Sequence, residues 1–265
     1  HRNNRKNQRS MIMATKVAKL SEDLETAFSA DSGFGFEEVS QSDLQIPFLR
    51  ILQALSPQLK KSDAAFIAGA SQGDIFNTVT NNIWAADDGV VVLPVFFQMK
   101  FLEFVPRNQG GGFLGELLAG SADVSSAVRD KDSGMELLTN GNELVRTAQH
   151  YIKIVHEDGS LESAIVDMKK TQLKKSRLWL SLMMMQKRNG STLPSFAKTY
   201  RLKSVEDGND KGSWGSWSIA LEGDVMSIEA YREAKEMHGR ITSGELSISP
   251  PLEVVTDQSS EDIPF

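Results

Sequence analysis

Apolar positions along the chain fall mostly into period-two runs separated by turn residues, with a few stretches at helical spacing. Ala14 to Ala30 carries Val17, Leu20, Leu24, Ala27 and Phe28 at helical intervals and reads as an amphipathic helix. Asp31 to Asp43 is rich in Gly and Ser and reads as a loop. Ile46 to Leu55 fits a strand or a short helix, because Pro47 suits an edge strand or a first helical turn. Ile75 to Thr80 alternates as a strand, and Asn81-Asn82 makes a tight turn before Ile83-Trp84. Val90 to Val105 is β-branched and aromatic throughout, which predicts a long strand bent near Pro94 or Met99. Arg107 to Asn142 is loop-rich. Leu144 to Val155 and Leu161 to Met168 form a hairpin about Glu157-Asp158-Gly159. Thr171 to Lys187 reads as a helix capped by Thr171. Ser195 to Leu202 and Trp214 to Leu221 are strands around an Asp207 to Gly212 turn. Gly223 to His238 closes with a helix that Gly239 stops. Ser243 to Phe265 has no periodicity and contains Pro250 and Pro251.

Six or seven strands joined by turns, with helices inserted between them, predict a mainly β chain with added helices (α+β). The expected architecture is an antiparallel barrel with helical insertions and a disordered C-terminal tail. Regular βαβ alternation and an internal repeat of 20 to 50 residues are both missing. The expected organisation is a disordered basic leader (1–13), a body (14–240) and a disordered acidic tail (241–265). At 265 residues the chain can bury a core without staples. It contains no cysteine, which rules out disulfides, thiolate metal sites and cysteine nucleophiles. No apolar run approaches the roughly 20 residues that span a bilayer, and no membrane partner is expected.

The net charge of −6 argues at first against a nucleic-acid partner, but the charge is segregated. The 36 residues from Met168 to Lys203 hold ten cations and no carboxylate: Lys169, Lys170, Lys174, Lys175, Arg177, Lys187, Arg188, Lys198, Arg201 and Lys203. Taking these ten from the net −6 leaves −16 on the rest of the chain. The last 25 residues have no Lys or Arg and carry Glu245, Glu253, Asp257, Glu261 and Asp262. Such a stretch is either a binding surface or a solvated face that balances acidic neighbours. The first ten residues, with Arg2, Arg5, Lys6 and Arg9, form a further basic block without an apolar anchor.

Catalytic chemistry finds little support. Gly110 to Gly115 matches G-x-G-x-x-G formally but lacks the strand and helix start that a dinucleotide site needs. Asp207 to Gly212 resembles the start of a calcium loop, yet Lys211 fills a ligand position and no Glu follows at the twelfth. His150 and His156 share one strand face without carboxylates at metal-ligand spacing. No G-x-S-x-G elbow or P-loop occurs. No enzyme activity, cofactor or metal is expected.

The basic stretch is interleaved with rings. On a strand, Phe196, Lys198, Tyr200 and Leu202 would face one way, with Thr199, Arg201 and Lys203 facing the other. Such a row suits single-stranded nucleic acid: bases stack on rings, at roughly 1–3 kcal/mol each, while cations follow the phosphates. The stacking candidates are Phe101, Trp179, Phe196 and Tyr200. The phosphate candidates are Lys169, Lys170, Lys174, Lys175, Arg177, Lys198, Arg201 and Lys203, with Lys100, Phe101, Phe104 and Arg107 as a second patch. Each ring has an ordinary alternative as an inward-packed strand residue. The chain ends Glu261-Asp262-Ile263-Pro264-Phe265, a compact acidic and apolar docking element for a partner.

That ending resembles the acidic tip of bacterial single-stranded DNA-binding proteins, which finish in Asp-Ile-Pro-Phe, matched here by Asp262, Ile263, Pro264 and Phe265. Ile46 to Pro57, Asn77 to Thr80 and Phe104 to Glu116 resemble a tailed-bacteriophage family of single-stranded DNA-binding proteins. The resemblance implies an OB-like antiparallel β-barrel that coats single strands during replication, recombination or repair in the host cytoplasm. It also implies recruitment of replication or repair proteins through the tip. A homo-oligomer is one possibility. Two other readings stand beside it: a single-strand annealing mediator on the same basic surface, and a virion or scaffold protein that binds no DNA.

Overall fold

The period-two runs pair into one antiparallel sheet that curls into a half-barrel carrying a few helices, so the protein is α+β and mainly β. The computed structural model describes residues 22–39, 45–131, 133–210 and 212–246. The chain divides into two compact units, residues 1–44 and 45–265. The described part of the first is a helix, α1 (Glu22–Ala30), followed by turns through residue 39. It is shorter than the helix expected from residue 14, whose first eight residues lie outside the described ones.

The second unit begins with β1 (Leu49–Ile51), β2 (Ile75–Asn77) and β3 (Ile83–Trp84), which form a small sheet. The long strand β4 (Val90–Phe104) follows, then β5 (Phe113–Leu117), the short helix α2 (Ala122–Ser126), β6 (Val128–Arg129) and β7 (Glu136–Leu137). The hairpin β8 (Glu143–Val155) and β9 (Leu161–Lys169) leads into α3 (Leu173–Met184). A two-stranded ribbon, β10 (Lys187–Arg188) and β11 (Ser191–Thr192), precedes β12 (Lys198–Asn209), β13 (Gly212–Asp224) and α4 (Ile228–Thr242). Across the main sheet the order is β13–β12–β4–β8, with β9 on the far side of β8 and β5 beside the end of β4.

β8 lies at the centre and is buried on both faces, so apolar side chains populate both of its parities. Ala148, Ile152 and Ile154 join Val166 and Met168 of β9 and Trp179 and Met183 of α3 in one core. Tyr151 points the other way, with Leu93, Val95, Ile165 and α4 residues Ala234 and Met237 in a second core. The sheet thus has α3 on one face and α4 over the middle of the other. The bend expected in β4 is present: the register with β8 shifts between Pro94 and Phe96, where proline has no N–H for the ladder.

One segment reaches both edges of the curled sheet. The Ile165 N–H donates to the Pro47 carbonyl at 2.9 Å, and Phe48 forms a parallel bridge to Ile165 of β9. Five residues on, the Gln53 side chain bonds the β13 backbone in both directions. Its Nε2 donates to the Gly215 carbonyl at 3.1 Å, and its Oε1 accepts the Gly215 N–H at 2.9 Å. A side-chain amide here substitutes for a neighbouring strand and satisfies an edge. Glycine is required at 215, because a Cβ there would stand 2.5 Å from Ile51 Cγ2.

Several boundaries differ from the sequence reading. Thr171 caps no helix: residues 170–172 make a 3-10 turn, and α3 starts without a side-chain cap. The Gln172 side chain instead accepts the Trp217 N–H at 3.3 Å. Ser195–Ala197 is a 3-10 turn rather than strand. α4 passes through Gly239 to Thr242, and Ile241 and Leu246 pack against the second core, so the start of the expected tail (241–246) belongs to the fold. The remaining tail residues, 247–265, and the leader, 1–13, lie outside the described residues.

Candidate nucleic-acid interface

The four rings expected to stack on bases are all core residues. Trp179 and Tyr200 have no exposed surface, Phe196 keeps 7% and Phe101 keeps 8%. The expected aromatic row on β12 does not form, because Phe196 precedes the strand and faces the second core, while Tyr200 and Leu202 of the strand pack into the first. None of the four can meet a base without opening a core. Burial also pushes the Tyr200 phenol up to about 12, so it stays neutral.

The cations are real surface groups, but the fold separates them. Lys174, Lys175 and Arg177 belong to α3, on the first face. Arg201 and Lys203 alternate with Tyr200 and Leu202 and so lie on the second face, beyond α4. Lys100 and Lys169 sit on the second face at the opposite end of the sheet, on the same side as Tyr151. Arg107 follows β4 in an exposed turn. There is no single trough.

Most of these cations also have acidic neighbours. Lys198 pairs with Asp224. Arg201 makes a forked contact with Glu222, at 2.9 and 2.6 Å, and its Nη1 donates to the Asp88 carbonyl at 3.0 Å. Lys174 and Lys175 stand 3.6 and 4.0 Å from Asp207. Lys170 lies 3.4 Å from Glu143, and Lys100 is 2.7 Å from Glu116. The hydrogen bond from Lys198 holds the Asp224 carboxyl below its ordinary range, and that from Arg201 does the same for Glu222. Lys187 and Arg188 are exposed on the β10–β11 ribbon.

One place combines a cation with accessible ring surface. Among the described residues three cations lie over phenylalanine rings: Arg50 over Phe48, Arg146 over Phe101, and Lys169 over Phe104. Phe48 and Phe101 are buried, whereas Phe104 is half-buried. Lys169 Nζ is 6.0 Å from the Phe104 centroid, and Phe104 leans on Phe113, also half-buried, at 5.4 Å. Phe113 escapes a sequence reading because only the Gly110–Gly112 turn brings it opposite Phe104. Lys100 shares their face of β4.

The chemistry elsewhere is structural. His150 is buried, shares a 2.8 Å hydrogen bond with Ser176 Oγ and stacks on Trp179 at 4.5 Å. Burial pushes its pKa down to about 3, so the ring is neutral at physiological pH. His156 approaches Glu162 at 3.1 Å. Among the described residues no cluster of three or more metal-ligating side chains occurs, and no helix is long and apolar enough to cross a membrane.

The model of one family, the Pam3 phage gp34-like proteins, matches residues 16–247. The chain belongs to that family. It is accordingly a phage protein. No curated protein and no solved structure matches it. The stretch that this gp34-like protein shares with its family takes in the whole main sheet and α4 and ends before the acidic tip at 261–265.

Proposed function

We propose that this phage protein binds single-stranded DNA through an OB-like body and recruits replication or repair proteins through its acidic tip, without enzymatic activity. The observation that carries the reading is Lys169 over the half-buried Phe104–Phe113 pair, with Lys100 on the same face of the sheet. A cation beside an accessible ring pair is the minimal unit for holding a phosphate and a base. A five-strand path from β13 to β9, whose two edges both meet residues 47–53, supports the OB-like assignment. The mechanism differs from the one the sequence implied: Trp179, Tyr200, Phe196 and Phe101 scaffold the body, and phosphate neutralisation by surface cations supplies most of the affinity.

The basic leader (1–13) and the acidic tail with Glu261 to Phe265 flank this body, which acts in the cytoplasm of the bacterial host. The sealed rings favour one rival, a virion or scaffold protein that docks by its tip and binds no DNA. Titration with fluorescent oligo-dT, against duplex of equal length, separates the two. The proposal expects preference for the single strand and an affinity that falls steeply with salt. Absence of binding at low salt would leave the virion reading. Deleting Glu261 to Phe265 removes partner recruitment while single-strand binding persists. A strand-annealing assay tests the mediator reading.

A further inference from the structure

The far end of the second face carries a row of three residues in cross-strand register. Lys100 on β4 is paired with Thr147 on β8, and Thr147 with Lys169 on β9. Residues directly opposite one another in a ladder share a face, so two ammonium-bearing chains flank one hydroxyl. Thr147 has no exposed surface, and its Oγ1 makes no hydrogen bond. A buried hydroxyl left unbonded costs roughly 1–3 kcal/mol, which asks for a partner. The next row along, Gln98, Gln149 and Asp167, is polar as well, with Gln98 Nε2 bonded to Gln149 Oε1 at 3.1 Å. Lys169 reaches from the row to the Phe104 ring, linking it to the ring pair.

The geometry points to a phosphate seat here, which rests on the single-stranded DNA reading and locates it: one phosphodiester between Lys100 and Lys169, whose side chains must part to uncover the buried Thr147 Oγ1 that then donates to it, and the adjoining base against Phe104 and Phe113. In the free protein Lys100 is tied to Glu116 on β5 at 2.7 Å. That carboxylate acts as a resident competitor, which an incoming phosphate must displace. Asp167 and Glu143 also stand on this face, Glu143 beside Lys170, so a lone phosphate is held weakly and a strand supplies the additional contacts.

The test is anisotropy with fluorescein-labelled oligo-dT on the full chain. Glu116→Gln is predicted to bind several-fold tighter at low salt. Thr147→Val, which keeps shape and removes the hydroxyl, should bind roughly tenfold more weakly, while its melting midpoint rises because the unbonded buried hydroxyl is gone. Lys169→Ala should reduce the slope of log affinity against log salt by about one. Crosslinking with 5-iodouracil-substituted oligo-dT should label Phe104 or Phe113. Wild-type affinity in Glu116→Gln and Lys169→Ala, with crosslinks elsewhere, overturns the seat and leaves the DNA reading intact. Failure of the wild type to bind oligo-dT fells that reading itself. Thymidine monophosphate that raises the melting midpoint of wild type but not of Thr147→Val would assign the seat to a free nucleotide and overturn the strand assignment. Should Thr147→Val fail to fold, the surface variant Glu116→Gln still decides.

Discussion

The middle of the sheet and its far end are built from the same strands and treat their side chains in opposite ways. Around Tyr151 and Ile152 both faces are covered, by α4 and α3, and every ring there serves packing. A few residues along the same strands, at Lys100, Thr147 and Lys169, the second face carries polar groups and a half-buried ring pair. The difference teaches that an aromatic residue's role in this fold depends on whether a helix lies over it, and not on the cations beside it in sequence.

The strongest way to break this contrast is Trp179→Ala. Removing a ring with no exposed surface should cost about 3–5 kcal/mol in urea unfolding, while oligo-dT affinity per folded molecule stays at the wild-type value. Weaker DNA binding by the folded fraction would return the ring to the interface.

A second effect comes from His150 beneath α3. Its folded pKa lies near 3 against an ordinary 6.5. Between those values the unfolded chain takes up a proton that the folded chain refuses, so stability is complete above about pH 6.5 and declines on acidification. At pH 5 the loss is about 2 kcal/mol, readable as a lower urea midpoint than at pH 7.5. His150→Gln should flatten that part of the profile.

A third variant, Gln53→Ala, frees both bonds to Gly215 and should cost about 1–2 kcal/mol. Hydrogen exchange at Gly215 would sharpen the point: its amide should lose protection while that of Ile152 keeps it. The smallest effect is expected at Arg201→Ala. Its forked pair with Glu222 is about one-third exposed on each side, so the change in stability stays within about 1 kcal/mol and shrinks further in high salt.

The long strands were legible because alternation and turn chemistry agree there. Val90 to Val105, the hairpin about Asp158-Gly159 and the Asn81-Asn82 turn all stand where they were expected. Which way the rings point was not legible. On β8 both parities are buried, so alternation stops separating core from surface, and the same ambiguity spreads to Tyr200 and Trp179 that pack beside it. The run of ten cations without a carboxylate was equally open. Its counter-charges come from elsewhere in the fold: Asp224 and Glu222 on β13, Asp207 on β12 and Glu143 on β8. Local composition counts charge along the chain, whereas pairing happens across it.

Composition and periodicity were enough to determine a cysteine-free, mainly β chain with a segregated charge and a distinctive acidic ending, because those features are set by residues close together in sequence. Only the folded arrangement decided that four aromatic residues belong to cores, that the cations divide between two faces, and that Thr147 lies between Lys100 and Lys169. Those outcomes depend on strand register and on where α3 and α4 settle, and both are fixed by contacts between residues tens of positions apart.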